Sequence, residues 1–311
     1  MLIGIIIGSI LGFLFILFFV TLLGLYLYTF YSPYKKQLND YKLDLPMYEG
    51  HREEVIPMID AIRKVPFEDI YTTSFDKLKL HARLFNQKSN KVAILCHGYR
   101  GTGYKDFSGG AMEALNLGYN VILIDERAHG TSKGHSITFG VRESQDVVSW
   151  VNYARNRFGQ DIKIVLIGIS MGGATVLMSA DKVEGDVKII ADCPYTTPEI
   201  ILKNTIRGMK LSPKFFYPIL NLSAIVFAHT NLNKESAYKS ISNTNHPVLI
   251  IHGDHDGVVP YTISEDLYKK HPDKIQYELF PDADHGMSYL VDKPRYQNLI
   301  KEFLNKWLFT N

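Results

Sequence analysis

Hydrophobic and polar positions follow one pattern from residue 68 to the C-terminus and a different one before it. From residue 68 onward, short apolar runs alternate with longer segments of helical periodicity. Such runs are typical of parallel strands buried on both faces, and their alternation with helices predicts βαβ units. The continuous runs predict strands over Val92–Cys96, Val121–Asp125, Ile164–Ile169, Val187–Ala191 and Val248–His252, with a weaker strand over Ile275–Phe280. Two further strands, Ile70–Ser74 and Leu78–Phe85, are predicted around a turn at Asp76-Lys77, the second from its alternating apolar and polar residues. The predicted helices are Phe107–Leu117, Val141–Arg157, Gly172–Lys182, Tyr261–His271 and Arg295–Leu308. The sequence thus predicts an α/β fold with a doubly wound, mostly parallel sheet.

One segment, at about residues 196–241, interrupts this alternation. Its apolar residues recur at helical spacing, so we predict a helical cap inserted between two strands. Because the segment follows the carboxyl end of a strand, where ligands bind in open α/β sheets, we expect part of its apolar surface to line an acyl pocket. Its six basic and two acidic residues would also attract it to anionic lipid headgroups.

The first 34 residues contain no charged residue and no histidine. Thirty helical residues would span about 45 Å, more than the roughly 30 Å hydrocarbon core of a bilayer. A signal peptide is the alternative, but the apolar run is too long, and neither a basic start nor a small-residue cleavage motif is present. Tyrosines gather at its C-terminal end, as in an interfacial belt: Tyr26, Tyr28, Tyr31 and Tyr34. We predict a transmembrane anchor over residues 1–34, a connector over 35–67 and a folded domain over 68–311.

Two features of the anchor leave alternatives open. The glycines at every fourth position lie on one helix face: Gly4, Gly8 and Gly12. This face would allow two anchors to pack closely as a homodimer, but glycine is also frequent in membrane helices in general, so the pattern leaves both interpretations open. Three lysines follow the anchor, and nothing basic precedes it: Lys35, Lys36 and Lys42. The positive-inside rule would therefore keep the domain in the cytoplasm.

Composition excludes several classes of function. The 311 residues include 34 Lys+Arg and 32 Asp+Glu, so the chain lacks a basic footprint and we expect no nucleic-acid partner. Its two cysteines, Cys96 and Cys193, cannot form a disulfide scaffold, and we expect two buried thiols. No His/Cys/Asp cluster has metal-ligand spacing and no G-x-G-x-x-G follows a strand, so the sequence implies neither a metal nor a cofactor.

A nucleophilic serine is predicted by the motif G-x-S-x-G at residues 168–172. The motif recurs at residues 130–134, so its context must decide between Ser170 and Ser132. Ser170 follows a buried strand and precedes a helix with small residues in its first turn, which is the strand–turn–helix of a nucleophile elbow. Ser132 lies in a Gly/Ser/Lys loop without a helix behind it, and we interpret it as a turn residue.

A serine nucleophile needs a base and an orienting carboxylate, which the elbow arrangement places later in the chain. Asp254 and Asp256 both follow the strand that begins at Val248, and position alone leaves both open. His285 follows the last strand and is favoured over His255 as the base, because a close sequence neighbour of the acid seldom reaches the serine. The oxyanion hole needs two backbone N–H groups, and the predicted donors are Tyr99 and Met171.

Taken together, these motifs resemble the α/β-hydrolase family. The resemblance is strongest to bacterial membrane-anchored or surface serine hydrolases of the esterase/lipase type, related to the prolyl-oligopeptidase-like branch. The matching segments are HGYRG (97–101), DERAHGTSKG (125–134), GISMG (168–172), HGDHDGVVP (252–260) and DADHG (282–286). The resemblance assigns the triad acid to Asp256 and makes Arg127 and His129 scaffold residues. It also implies a cell-surface enzyme, so the domain is expected on the outer face of the membrane.

The function expected from the sequence is hydrolysis of carboxylic esters with lipophilic acyl chains. Ser170, His285 and Asp256 would form the triad, and the reaction would pass through an acyl-enzyme without a cofactor. The substrate would be a small-molecule or lipid ester, and the enzyme a single-pass protein of the cell membrane. A serine peptidase of the prolyl-oligopeptidase-like type and a non-catalytic scaffold are the alternatives.

Overall fold

An eight-stranded sheet forms the centre of the computed structural model, which describes residues 1–32 and 39–306. The strands are β1 Glu68–Thr73, β2 Lys79–Phe85, β3 Lys91–Cys96, β4 Asn120–Asp125, β5 Lys163–Ile169, β6 Val187–Asp192, β7 Val248–Gly253 and β8 Ile275–Phe280. Their order across the sheet is β1-β2-β4-β3-β5-β6-β7-β8. Strand β2 pairs antiparallel with β1 and β4, and every other pair is parallel. The predicted mostly parallel sheet is therefore confirmed.

Helices connect the strands and flank the sheet. They are α1 Leu2–Thr29, α2 Arg52–Arg63, α3 Gly103–Asp106, α4 Ser108–Asn116, α5 Glu143–Phe158, α6 Met171–Ser179, α7 Pro198–Gly208, α8 Pro213–Ala228, α9 Ala237–Asn243, α10 Thr262–Lys270, α11 Ser288–Val291 and α12 Lys293–Asn305. A 3-10 turn at Pro46–Tyr48 precedes α2. Leu308, the predicted end of the last helix, lies outside the described residues.

The core has two layers because successive residues of a strand face opposite sides of the sheet. In β3, Ile94 belongs to the layer under α5 and α6, which contains Trp150. Its neighbour Leu95 belongs to the layer under α4 and α12, which contains Phe303. Burial on both faces explains why the central strands have continuous apolar sequences rather than alternating ones.

Helix α1 is long and apolar enough to cross a membrane, and a helix of this kind near the N-terminus is either a span or a signal sequence. Its C-terminal end packs into the domain, where Tyr26 and Phe30 are buried. The Phe30 carbonyl accepts a hydrogen bond from the Ile137 N–H at 2.8 Å. Tyr34, Lys35 and Lys36, which were used to predict the aromatic belt and the orientation, lie outside the described residues.

The segment predicted as a connector contains α2, which packs against α4. Val55, Ile59 and Ile62 are buried and recur at a spacing of four and three residues, so they form one helix face. The insertion predicted at about 196–241 contains α7, α8 and α9, and α8 lies beside α1.

Candidate active site

Ser170 occupies a sharp turn between β5 and α6. Its backbone angles are φ 56° and ψ −114°, a strained conformation for a residue with a side chain. A Cβ on Gly168 would lie 2.1 Å from the Gly172 carbonyl oxygen, and a Cβ on Gly172 would lie 1.8 Å from the Cys96 carbonyl oxygen. Only glycine fits at either position, so the two glycines of the motif permit the turn that presents Ser170.

Ser132, in the second copy of the motif, has a structural environment. It is fully buried, its hydroxyl donates to the Asp125 carbonyl oxygen at 2.6 Å, and its oxygen accepts from the His81 N–H at 2.8 Å. These bonds tie a loop to β2, as expected for a turn residue.

A continuous hydrogen-bond chain joins Ser170, His285 and Asp256. The Nε2 atom of His285 lies 2.8 Å from the Ser170 Oγ, and its Nδ1 lies 2.7 Å from the Asp256 Oδ2. A carboxylate can only accept, so Nδ1 carries a proton and donates it to Asp256, which leaves Nε2 as the acceptor for the serine proton. The geometry is that of a nucleophile, a base and an orienting acid.

Asp256 is held in its ionised form. Burial by itself would raise the pKa of this carboxyl, but hydrogen bonds with His252 and His285 outweigh burial and hold the pKa well below its usual range. The Oδ1 atom also accepts from the N–H groups of Val258 and Val259, at 2.8 and 2.7 Å. His252 lies 3.2 Å from the Oδ2, so this histidine supports the acid rather than the serine.

The rival acid and base lie outside this chain of contacts. Asp254 and His255 form an ion pair with each other at 2.6 Å, and the His255 side chain is 67% exposed. The structure therefore brings together Asp256 and His285 with Ser170, and not their neighbours.

The loop of residues 97–101 lies against Ser170. A Cβ on Gly98 would lie 3.6 Å from the Ser170 Cβ. Within the described residues, the N–H groups of Tyr99 and Met171, the predicted oxyanion donors, have no hydrogen-bond acceptor. Asp106, which sequence reasoning missed, holds the loop because its Oδ2 accepts from the Gly98 N–H at 2.8 Å. The sequence does contain a local indication of the helix that carries Asp106, because Thr102 is a typical N-cap residue and caps this helix.

Two buried histidines shape the same loop. The His129 Nε2 accepts from the Arg100 N–H at 3.1 Å, and the His97 Nε2 accepts from the Glu126 N–H at 3.1 Å. Burial lowers the pKa of both rings, that of His129 to about 3, so both are neutral. Arg127 is buried and pairs with Asp146 through two nitrogens, at 2.7 and 2.6 Å. The predicted scaffold roles of Arg127 and His129 agree with these contacts.

A cavity of about 700 Å³ begins at Ser170 and His285 and extends along the sheet between α4 and α12. Ile167 and Ile169 line it and are only partly buried although they belong to the central strand β5, because the cavity covers this face. The cavity continues to Val165 on β5 and to Ala114 on α4.

The wall of this cavity corrects one expectation. Among the described residues that line it, none belongs to the insertion at 196–241. The connector supplies the wall instead, through these residues: Leu45, Pro46, Met47, Tyr48, Val55 and Met58. The expectation that the cap lines an acyl pocket is wrong for this cavity, because the insertion packs beside α1, whereas α2 packs on α4 directly above the cavity.

Comparison with known proteins agrees with this fold. A family model of the α/β hydrolase fold matches residues 92–218, and one of the prolyl oligopeptidase family matches residues 223–310. The chain has the α/β-hydrolase fold. The crystallised esterase Pf2001 of Pyrococcus furiosus is 26% identical with a TM-score of 0.64, and the match covers 79% of this chain and 95% of that one.

Two sequence relatives match over a smaller part of their length. The uncharacterized protein YqkD of Bacillus subtilis is 29% identical over 194 residues, which are 61% of this chain and 64% of that protein. The lysophosphatidylserine lipase ABHD12 of Danio rerio is 25% identical over 238 residues, which are 70% of this chain and 59% of the lipase. The hydrolase thus matches less than two thirds of the length of either relative.

The C-terminal end of α1 contacts the active-site loop of the hydrolase. The Tyr99 hydroxyl donates to the Thr29 carbonyl oxygen at 2.8 Å, and the Arg100 guanidinium donates to the Tyr28 carbonyl oxygen at 2.8 Å. The Tyr99 ring stacks on Phe139, with centroids 5.0 Å apart. The candidate span therefore ends against the loop that carries a predicted oxyanion donor.

Cys193 lies next to His285, with its Sγ 4.0 Å from the His285 Nε2. Its sulfur and one ligand atom each of Asp256 and His285 lie within 4.8 Å of one another, a grouping that could in principle hold a metal. Burial raises the pKa of the Cys193 thiol well above its usual value, so the sulfur keeps its proton and is a poor ligand. Both His285 nitrogens are also engaged, so the arrangement favours proton transfer.

Proposed function

We propose that the protein is a serine esterase that hydrolyses carboxylic esters with lipophilic acyl chains. The observation that carries this proposal is the hydrogen-bond chain from Asp256 through His285 to Ser170 at the mouth of an apolar cavity. All three groups are present and in contact, which argues against a non-catalytic scaffold.

The proposed reaction is acyl transfer to water in two steps. The Ser170 oxygen attacks the ester carbonyl carbon while the His285 Nε2 takes the hydroxyl proton, and the N–H groups of Tyr99 and Met171 stabilise the oxyanion. The carbon–oxygen bond to the alcohol then breaks, and His285 protonates the departing oxygen. In the second step, water gives a proton to His285 while its oxygen attacks the acyl carbon. The bond from that carbon to the Ser170 oxygen then breaks, His285 returns the proton to this oxygen, and the acid is released.

The acyl chain is proposed to occupy the cavity between α4 and α12. Its apolar wall favours an alkyl chain, because a peptide would leave backbone N–H and C=O groups without partners there. The match of residues 223–310 to the prolyl oligopeptidase family keeps a peptidase as the second candidate.

The protein is further proposed to be a single-pass membrane enzyme that keeps α1. Removing α1 as a signal peptide would expose apolar surface of the domain and break the bond of 2.8 Å between the Tyr26 and Ser136 hydroxyls. The domain is proposed to face outward. Protease treatment of intact cells tests this, and a domain that is degraded only after lysis would contradict the outward orientation.

A fluorophosphonate probe tests the nucleophile, because it phosphonylates an activated serine with loss of fluoride. We expect Ser170→Ala to abolish labelling and Ser242→Ala, at an exposed hydroxyl on α9, to label like the parent protein. Equal labelling of Ser170→Ala would refute the assignment. Comparison of p-nitrophenyl esters with peptide p-nitroanilides tests the substrate class, and faster cleavage of the anilides would favour a peptidase.

A further inference from the structure

Helix α8 of the insertion exposes an apolar face. Phe215, Leu222, Ile225 and Val226 are exposed, and Phe215 retains 64% of its accessible surface. The opposite face, which includes Ser223, packs into the domain. Surface helices normally present polar residues to water and apolar residues to the core. On α8 the exposed face is apolar, which is unusual for a helix in contact with water.

Helix α8 packs against α1 as well as against α7. The Phe227 ring on α8 contacts the rings of Phe19 and Tyr26 on α1, with centroids 5.3 and 5.4 Å apart. The exposed face of α8 is therefore continuous with the apolar surface of the candidate span.

The length of α1 indicates the depth of this contact. Its 28 residues span about 42 Å, roughly 12 Å more than a hydrocarbon core, which corresponds to about eight residues. The buried residues of α1 are Leu22 and Tyr26, both within the last eight residues. The excess length is thus the part that docks on the domain, and the membrane boundary falls near Phe19, where Phe227 makes its contact.

Basic residues at the N-terminal end of α8 also agree with a position at the membrane boundary. Lys210 and Lys214 lie at its N-terminal end, next to the exposed side chains of Met209 and Leu211. Basic residues beside an apolar helix face are typical of helices that lie in the membrane interface and contact anionic headgroups.

We propose that α8 lies in the interface of the membrane that α1 spans, with its apolar face among the lipid acyl chains. The occupant is a lipid surface rather than a second copy of the chain, because the exposed face continues that of a membrane span. The proposal requires that α1 be retained in the membrane, but it does not depend on the proposed esterase activity.

Site-specific fluorescence on the full-length protein tests this placement. The native cysteines are both buried, so single cysteines introduced on the surface can be labelled selectively with an environment-sensitive dye. The variants are Phe215→Cys and Leu222→Cys on α8, with Lys239→Cys on α9 as an exposed control in the same insertion. Each is reconstituted into vesicles of phosphatidylcholine and phosphatidylglycerol, with and without doxyl-labelled lipids.

We expect the doxyl lipids to quench the dye at residues 215 and 222 at least about twofold and to leave the dye at residue 239 unquenched. The reason is that an interfacial helix places its apolar face about 5–10 Å below the headgroups, within reach of the doxyl groups. Quenching no stronger than that of Lys239→Cys would overturn the proposal. So would intermolecular cross-linking through residues 215 and 222 without lipid quenching, which would assign the face to a second copy. A Ser170→Ala background gives the same readout without catalysis, and melting curves exclude misfolded variants.

Discussion

The cavity predicts how activity depends on acyl-chain length. From Ser170 to Val165 the cavity follows five residues of β5, or about 17 Å, which matches an extended chain of roughly a dozen carbon atoms. Each buried methylene contributes about 0.8 kcal/mol, or about fourfold in kcat/KM if the chain is bound in the transition state. We expect kcat/KM for p-nitrophenyl esters to rise from acetate and to level off near dodecanoate.

A larger side chain at residue 114 should fill part of the cavity and shift the preference to shorter acyl chains. Ala114 lies six residues beyond Ser108 on α4, about 9 Å deeper, so a phenylalanine there leaves room for roughly seven carbons. The loss of four or more buried methylenes would lower kcat/KM for dodecanoate by about two orders of magnitude. Acetate hydrolysis should stay within about twofold of the parent, since the serine and its partners are unchanged.

Asn116→Phe is the matched control, because residue 116 is on the same helix but is exposed and does not line the cavity. The series is measured on reconstituted protein at one fixed lipid concentration, so that ester partitioning is constant. An equal loss for acetate and dodecanoate in Ala114→Phe would refute the placement of the chain. Parent activity that peaks at acetate and falls with each methylene would refute acyl binding in this cavity altogether.

Three further predictions concern stability and assembly. Gly172→Ala should destabilise the fold by more than about 4 kcal/mol, because its Cβ would meet the Cys96 carbonyl oxygen, whereas Gly208→Ala, with open space around its Cβ, should change the melting temperature little. Burial raises the pKa of Asp192 from 3.8 to about 6, so ionisation of this carboxyl lowers the free energy of unfolding as pH rises through this window. Asp192→Asn removes the charge, and in thermal unfolding we expect it to raise the free energy of unfolding, relative to the parent, by about 2 kcal/mol more at pH 8 than at pH 4. A pH-independent difference would contradict this. If a homodimer forms through the glycine face, Gly8→Leu should convert it to a monomer in sedimentation experiments, and an unchanged mass would place the contact elsewhere.

The strands and the sharp turn at Ser170 were predictable because local sequence patterns indicate them. The run that begins at Val248 was predicted to end at His252, and β7 ends one residue later, at Gly253. The elbow was recognisable because Gly168 and Gly172 are needed for steric reasons that any chain with this turn shares. The strand–turn–helix pattern around these glycines extends over only a few residues, and a single sequence contains that information.

The cavity wall was not predictable in the same way. Val55, Ile59 and Ile62 carry a clear helical period, but the period does not tell which helix they will cover, and α4 lies about 50 residues further along the chain. The partner of Asp192 lies even further along the chain, since Asp192 accepts from the Tyr296 hydroxyl at 3.0 Å. Contacts of this kind follow from the packed fold and leave no local pattern.

The surplus apolar residues of the insertion show a similar limit of prediction from sequence. Periodicity indicated amphipathic helices, and the sequence alone suggested that their surplus apolar residues face a substrate. In the structure, Phe215 and Leu222 face outward beside α1, while the connector covers the cavity. Tyr99 then links the two regions, because its hydroxyl binds the end of α1 at Thr29 while its backbone N–H lies in the loop beside Ser170. If α1 is the proposed membrane anchor and Tyr99 the proposed oxyanion donor, this contact ties the position of the membrane to the geometry at Ser170, and a lipophilic ester leaving the bilayer would have only a short distance to travel to the serine.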